Sequence, residues 1–104
     1  MTTGTDATMI IEMYRDGFWE PIGLIPLPRS YELFNDMRER GNAGYPPDID
    51  DMSKQILEDI EEWGEGYMSY KEWLKLLKEY DYKHLNTIKK KYYDKCRVIY
   101  RFDC

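Results

Sequence analysis

Two apolar runs near the start of the chain predict a β-hairpin. Residues 8–15 read T-M-I-I-E-M-Y-R and residues 18–24 read F-W-E-P-I-G-L, with Asp16 and Gly17 between them. An Asp-Gly pair between two apolar runs is a strong signal for a two-residue turn. Pro21 has no backbone N–H to donate, so we expect the second strand to lie at a sheet edge or to break there.

A first helix is predicted over residues 31–40, where apolar residues recur at helical spacing. Ser30 precedes this segment as the expected N-cap, and Gly41 follows its last turn. The apolar face is formed by three residues: Tyr31, Phe34 and Met37. Residues 41–50 contain two Pro and two Gly, which predicts a loop.

Two further helices follow the loop. Asp50 or Asp51 is expected to cap the second helix, whose apolar positions recur at helical spacing and are Met52, Ile56, Leu57, Ile60 and Trp63. The opposite face is acidic and carries Glu58, Asp59, Glu61 and Glu62. Ser69 and Glu72 form a capping box, so a third helix should begin at Ser69 and continue to about Tyr80.

The last part of the chain predicts one more strand. Residues 85–94 are consistent with a short fourth helix, and the ending C-R-V-I-Y-R-F-D-C has the two-residue periodicity of a strand. We expect this strand to return to the N-terminal hairpin. The predicted fold is therefore a single α+β domain over residues 1–104, in which a small antiparallel sheet packs with two or three helices.

Charge is divided by position along the chain. Residues 1–82 hold 18 acids and 8 Lys or Arg, whereas residues 83–104 hold 7 Lys or Arg and 2 acids. A basic segment beside an acidic body usually marks a surface that meets a charged partner. The alternative is that the basic segment lies against the acidic helices of its own domain. The net charge of −5 argues against nonspecific binding to nucleic acid, because duplex affinity comes mostly from neutralised phosphates.

Neither a membrane span nor a disulfide is expected. No stretch approaches the roughly 18 apolar residues of a spanning helix, and residues 1–8 lack the pattern of a signal peptide, which predicts a cytoplasmic protein. Cys96 and Cys104 flank the predicted last strand, and eight extended residues would separate them by roughly 26 Å. Both are therefore expected to be free thiols.

The residue inventory predicts a protein that is not an enzyme and holds no cofactor. His84 is the single histidine and lies in a polar connector, and no motif supports a nucleophile pair with Cys96. One His and two Cys are too few for the usual zinc sites. The acids Asp48, Asp50 and Asp51 alternate like the start of a calcium loop, but the Gly and Glu that such a loop requires are missing. We expect no metal.

Binding is better supported than catalysis. Arginine and lysine side chains next to aromatic rings are the usual means of holding phosphates and nucleobases. The rings and cations with this character include Arg29, Tyr31, Arg40, Tyr45, Lys83 and the basic group at residues 89–101. The alternative is that a small domain rich in Tyr uses these rings to build its core. A small anionic ligand in a local basic pocket is consistent with both the composition and the net charge.

Several short segments, in order along the chain, resemble a family of small uncharacterised proteins encoded by bacteriophages and prophages. They are G-T-D at residues 4–6, Y-R-D-G-F-W at 14–19, P-R-S-Y-E-L-F at 28–34, Y-P-P-D at 45–48, E-E-W-G at 61–64 and the final R-V-I-Y-R-F-D. The family usually carries an Arg-Asn pair after the first helix, which here is Arg40-Gly41-Asn42. Its His-Ser pair after Trp-Gly is replaced here by G-Y-M-S at residues 66–69, which puts in doubt any function carried by that pair.

The resemblance implies a role against host defence in the bacterial cytoplasm, by one of two routes. The first is a non-catalytic sponge that sequesters a nucleotide second messenger, in a pocket that two subunits of a homo-oligomer could share. The second is an inhibitor that binds a host defence protein directly or mimics DNA with its acidic residues. We prefer the sponge at this stage, and an enzyme that degrades the messenger is a third class. The candidate ligand-binding residues are Asp6, Arg29, Tyr31, Arg40, Tyr45, Lys83 and His84. For Asp6 with Arg29 the alternative is an ion pair that holds the fold, and for Tyr31 it is a place in the core.

Overall fold

An antiparallel sheet organises the computed structural model, which describes residues 6–58 and 64–103. Its five strands in this part of the chain are β1 (Asp6–Arg15), β2 (Phe18–Pro26), β3 (Asn42–Ala43), β4 (Gly64–Ser69) and β5 (Cys96–Asp103). They lie in the order β2-β1-β5-β4-β3. The strand that comes last in the sequence is therefore the central strand of the sheet, and it pairs with β1 on one side and β4 on the other.

In the described part of the chain, three α-helices cover the sheet: α1 (Tyr31–Arg40), α2 (Asp51–Glu58) and α3 (Tyr70–Glu79). Two short 3-10 helices, Lys83–Leu85 and Lys90–Lys95, connect α3 to β5. This arrangement confirms the predicted α+β fold, with the N-terminal hairpin and the C-terminal strand in one antiparallel sheet.

The β1–β2 hairpin forms where the sequence predicts it. Asp16 and Gly17 have φ angles of 52° and 87°, the left-handed values that a tight hairpin turn requires. β2 lies at the sheet edge, as expected from Pro21. The pairing register shifts between Ile11 and Glu12, because Ile22 is an extra residue on the edge strand. Such a bulge bends an edge strand and limits its pairing with other chains.

Both faces of the sheet are covered, by different helices. On one face α1 and α3 pack against alternate residues of β5, namely Cys96, Val98, Tyr100 and Phe102. On the other face a smaller cluster joins Ile10, Ile99 and Leu57 of α2. Along β5, Arg97 and Arg101 lie two residues before and two residues after Ile99, so all three side chains share this second face. Two of the basic residues of the C-terminal segment are thus enclosed by their own domain.

The first and third helices begin at the predicted caps. The Oγ of Ser30 accepts a hydrogen bond from the backbone N–H of Leu33 at 3.3 Å, and the Oγ of Ser69 accepts one from Glu72 at 3.2 Å. The predicted apolar face of α1 is wrong at one position. Tyr31 is 55% exposed, and Leu33 takes its place in the core beside Phe34 and Met37.

Other local predictions also need correction. In α2 the buried residues are Ser53 and Leu57, whereas Met52 and Ile56 are exposed, and the predicted positions Ile60 and Trp63 lie outside the described residues. The predicted loop at 41–50 includes β3, and residues 64–69 form a strand that the pattern did not indicate. Residues 85–94 form no α-helix, because their turns are of the tighter 3-10 type.

Candidate functional site

The candidate ligand residues near the start of the chain form an ion pair. The Nε of Arg29 donates to Oδ1 of Asp6 at 2.7 Å, and its second nitrogen donates to Oδ2 at 3.2 Å. These hydrogen bonds hold the pKa of the Asp6 carboxyl below its ordinary value. The pair connects the first residue of β1 to the segment that leads into α1. Both side chains are about half exposed.

The other predicted ligand residues lie at separate places. Arg40 pairs with Glu79 at 2.7 Å and so joins the ends of α1 and α3. Tyr45 packs against the smaller core cluster, with its hydroxyl 3.4 Å from Nη1 of Arg101, and burial raises its pKa to about 12. Lys83 and His84 are exposed on the first 3-10 helix. Among the seven candidates, the described contacts bring Asp6 and Arg29 together, and a ligand role for them stays a prediction.

A buried carboxylate lies at the centre of the α2 face. Glu12 of β1 is 0% exposed. Its Oε2 accepts hydrogen bonds from the Oγ of Ser53 at 2.7 Å and from the backbone N–H of Asp50 at 3.0 Å. Its Oε1 accepts a hydrogen bond from Nε of Arg97 at 2.8 Å, and Nη2 of the same guanidinium lies 2.7 Å from Oε1 as an ion pair. Because three hydrogen bonds and an ion pair surround the carboxylate, its desolvated charge is compensated.

Arg97 connects this buried group to the surface. Its Nη1 donates to Oδ1 of Asp48 at 2.8 Å, and Nη2 donates to the Asp48 backbone carbonyl at 3.2 Å. The guanidinium carbon lies 3.9 Å from the centroid of the Trp19 ring. The hydrogen bond from Arg97 holds the pKa of the Asp48 carboxyl below its ordinary value. The cluster thereby fixes the Trp19 ring and an ionised Asp48 at the surface.

A cleft of about 330 Å³ opens beside Trp19 and Asp48, which we call the hairpin cleft. It lies between the β1–β2 turn and the start of α2, and it is lined by Tyr14, Gly17, Phe18, Trp19, Asp48, Ile49, Asp50 and Asp51. Tyr14 and Trp19 pair across the hairpin, so their rings lie on the same face, and Tyr14 is 45% accessible to solvent. Tyr14 meets Trp19 edge to face, with centroids 5.3 Å apart.

The opposite wall of the hairpin cleft is acidic. Asp50 caps α2, because its Oδ2 accepts from the N–H of Met52 at 2.9 Å, which confirms the predicted cap. Asp51 is the first residue of α2 and is exposed, and Asp48 is also exposed. Among the described residues that line the cleft there is no His, Cys or Lys. This combination suits the binding of a cationic, planar group better than general acid–base or nucleophilic chemistry.

Sequence reasoning did not predict the site as a unit. It considered Asp48, Asp50 and Asp51 as an incomplete calcium loop or as helix caps, it placed Arg97 only among the cations of residues 89–101, and it gave Trp19 and Glu12 no role. A signal was nevertheless present, since Glu12 interrupts the apolar run M-I-I-E-M and Arg97 interrupts the apolar last strand. Charged residues almost never become fully buried unless they are paired. The pairing itself spans 85 residues of sequence and required the sheet order to be known.

Within residues 6–58 and 64–103, no group of three or more His, Cys, Asp or Glu is placed to hold a metal ion. In the same part of the chain, no helix is both long enough and apolar enough to cross a membrane. Comparisons with protein-family models, with curated proteins and with solved structures found no match.

Proposed function

We propose that this protein is a non-catalytic inhibitor that binds a partner protein, and that the hairpin cleft receives an arginine side chain of that partner. This is the second of the two routes that the resemblance to phage-encoded proteins implies. The observation that carries the proposal is the pairing of exposed aromatic rings with carboxylates across one cleft. Tyr14, at 45% exposure on the hairpin, is the residue that a partner would bury.

The aromatic wall supports binding to a protein. Large rings exposed together are unusual on a monomer and mark interaction surfaces, because covering them removes much apolar area from water. Phe18, Tyr14 and Trp19 line one cleft, and the ring of Trp19 is held in place by Arg97. A wall that is already ordered loses little side-chain entropy when a partner binds.

The acidic wall favours the binding of a cation, and the contacts of Arg97 indicate that a guanidinium suits it best. Within this chain a guanidinium already stacks on the Trp19 ring and pairs with the Asp48 carboxylate. A second guanidinium in the cleft would meet the same types of group, namely the ring of Tyr14 and the carboxylate of Asp51. Lysine would gain less, because its ammonium group neither stacks nor makes bidentate hydrogen bonds.

The alternative function, a nucleotide sponge, stays a prediction. The hairpin cleft does not favour it, since its carboxylates would repel a phosphate. Arg29 and Arg40, which the sponge prediction assigned to the ligand, are each paired with a carboxylate of the same domain. A messenger would have to compete with those carboxylates or bind at another surface.

A peptide titration tests the proposal. The purified protein is mixed with hexa-arginine or hexa-lysine, and the indole N–H signals of the tryptophans are followed by NMR. We expect tighter binding of hexa-arginine, with a shift in the signal of Trp19 at the cleft and none in that of the fully buried Trp73. Tyr14→Ala should weaken hexa-arginine binding about tenfold, the loss of roughly 1.4 kcal/mol that is typical of a central aromatic contact.

Two control variants separate the cleft from general attraction to an acidic protein. Leu24→Ala removes an exposed apolar side chain of β2, outside the cleft, and should leave affinity unchanged. Glu32→Gln neutralises an acid in the first turn of α1, and it should weaken binding less than Asp51→Asn does in the first turn of α2. Equal affinity for the two peptides, or equal losses in test and control variants, would refute the proposal.

A further inference from the structure

We propose that residues 83–95 form a rigid surface that binds the phosphate groups of a nucleotide-sized anion, and we call this surface the lysine platform. It carries five exposed lysines and the single histidine: Lys83, His84, Lys89, Lys90, Lys91 and Lys95. This site is independent of the hairpin cleft and adds an anionic ligand to the proposed function.

The lysine platform is fixed to the core, although its backbone has only 3-10 turns. Asn86 organises it, because its Oδ1 accepts from the hydroxyl of Tyr70 at 2.7 Å and from the N–H of Ile88 at 3.0 Å. Its Nδ2 donates to the hydroxyl of Tyr93 at 2.8 Å. Apolar side chains of the same segment pack against the main core, namely Tyr82, Leu85, Ile88, Tyr92 and Tyr93. The lysines therefore project from an ordered base.

The lysines of the platform are not neutralised by ion pairs among the described residues. Asp94 is the one acid in residues 83–95, and it pairs with Lys71 of α3. Arg97 and Arg101, the other two cations of the C-terminal segment, are used on the α2 face. Among the described residues, no carboxylate forms an ion pair with Lys83, Lys89, Lys90, Lys91 or Lys95. The excess of basic residues near the end of the sequence therefore forms a positively charged patch on the surface.

The chemistry of the platform fits phosphate with an attached base. Lysine binds phosphate as a compact point charge. The half-buried ring of Tyr92 lies beside the lysines, with the Lys91 ammonium 5.0 Å from its centroid, and such a ring can stack on a base. The rest of the chain is acidic and would repel a long polyanion, so a short ligand is favoured.

The platform and the hairpin cleft lie on opposite faces of the sheet. Tyr92 and Tyr93 pack against the core cluster that includes α1 and α3, whereas the cleft is bounded by the start of α2. Occupation of one surface therefore does not block the other. Substitutions on the platform should leave hexa-arginine binding at the cleft intact, so the failure of one proposal does not decide the other.

Calorimetric titration at low and at moderate salt tests the platform, with ATP, inorganic triphosphate and a short oligothymidylate as probes. We expect ATP to bind, and raising the salt should weaken it, because exposed charges are screened. The double variant Lys89→Ala/Lys91→Ala should lose about tenfold in ATP affinity. The matched double variant Lys75→Ala/Lys78→Ala removes the same charge from α3 and should lose less than twofold.

The other probes identify the source of the phosphate. Tighter binding of ATP than of triphosphate supports a free nucleotide with its base on Tyr92, whereas tighter binding of oligothymidylate supports the end of a single strand. Asn86→Ala keeps every charge, and we expect it to weaken ATP binding and to speed amide hydrogen exchange over residues 83–95. The proposal is refuted if no probe binds, or if both double variants lose affinity equally.

Discussion

Replacing Glu12 with Ala should destabilise the fold by about 3–5 kcal/mol, the usual cost of removing one partner of a buried ion pair. The surroundings of Glu12 support a loss within this range. Glu12 is fully buried, accepts three hydrogen bonds and pairs with Arg97, which is only 9% exposed, so the charge of Arg97 cannot be solvated in compensation. Asp48 still pairs with Arg97 in the variant, which limits the loss. A domain of this size has about 5–15 kcal/mol of stability in total.

Urea unfolding followed by circular dichroism measures this loss as a change in midpoint at constant slope. Glu20→Ala is the matched control, because Glu20 also pairs with an arginine, Arg15, on the same hairpin but at the surface. We expect the control to cost at most about 1 kcal/mol. In a double-mutant cycle, the losses of Glu12→Ala and Arg97→Ala should sum to more than the loss of the double variant. A Glu12→Ala loss no larger than that of Glu20→Ala would refute the reasoning.

Three further predictions concern the core. Gly66→Ala should lower the free energy of unfolding in urea by about 1–3 kcal/mol, because the added Cβ would lie 2.8 Å from the Tyr100 ring. Gly23→Ala, whose added Cβ has its nearest contact at 3.9 Å, should lower it by less than about 0.5 kcal/mol. Equal losses in the two variants would contradict the packing. Burial raises the pKa of Tyr70 to about 12, so the unfolded chain loses this proton first, at its ordinary pKa of 10. The contribution of Tyr70 to the free energy of unfolding should be fully present below pH 10 and should fall as the pH rises towards 12. If the stability of a Tyr70→Phe variant falls as steeply over this range, Tyr70 is not the cause. The buried Cys96 thiol, whose pKa burial also raises, should resist alkylation in the folded protein and react in urea, as followed by mass spectrometry of its peptide.

Much of the fold could be predicted because its signals are local. Asp16 and Gly17 specify a turn by their backbone preferences alone, and Ser69 specifies a helix start through one hydrogen bond to Glu72. β4 was not predicted, because its residues carry no local signal for a strand. Its residues include Gly64 and Gly66, which have little strand preference, and they become a strand because β5 and β3 supply partners on both sides. Tertiary pairing of this kind leaves no local pattern.

The candidate site was harder to predict than the fold. The hairpin cleft joins the β1–β2 turn to the start of α2, two segments more than 30 residues apart in sequence. Acids such as Asp50 and Asp51 have the same local signature whether they cap a helix or also line a cleft. The position of Trp19 depends on Arg97, whose neighbours along the chain say nothing about Glu12. Charged residues inside apolar strands were the one clue to this arrangement.

The position of β5 has a consequence for synthesis. The ribosome makes the β1–β2 hairpin first and β4 much later, and β4 pairs with neither strand of the hairpin in the finished sheet. They are joined only through β5, which emerges after them. Until β5 is made, one edge of the hairpin and one edge of β4 have no pairing strand. The apolar face of the hairpin therefore cannot be fully buried. Folding should therefore be late and cooperative, and a nascent chain stalled before residue 96 should be readily digested by protease.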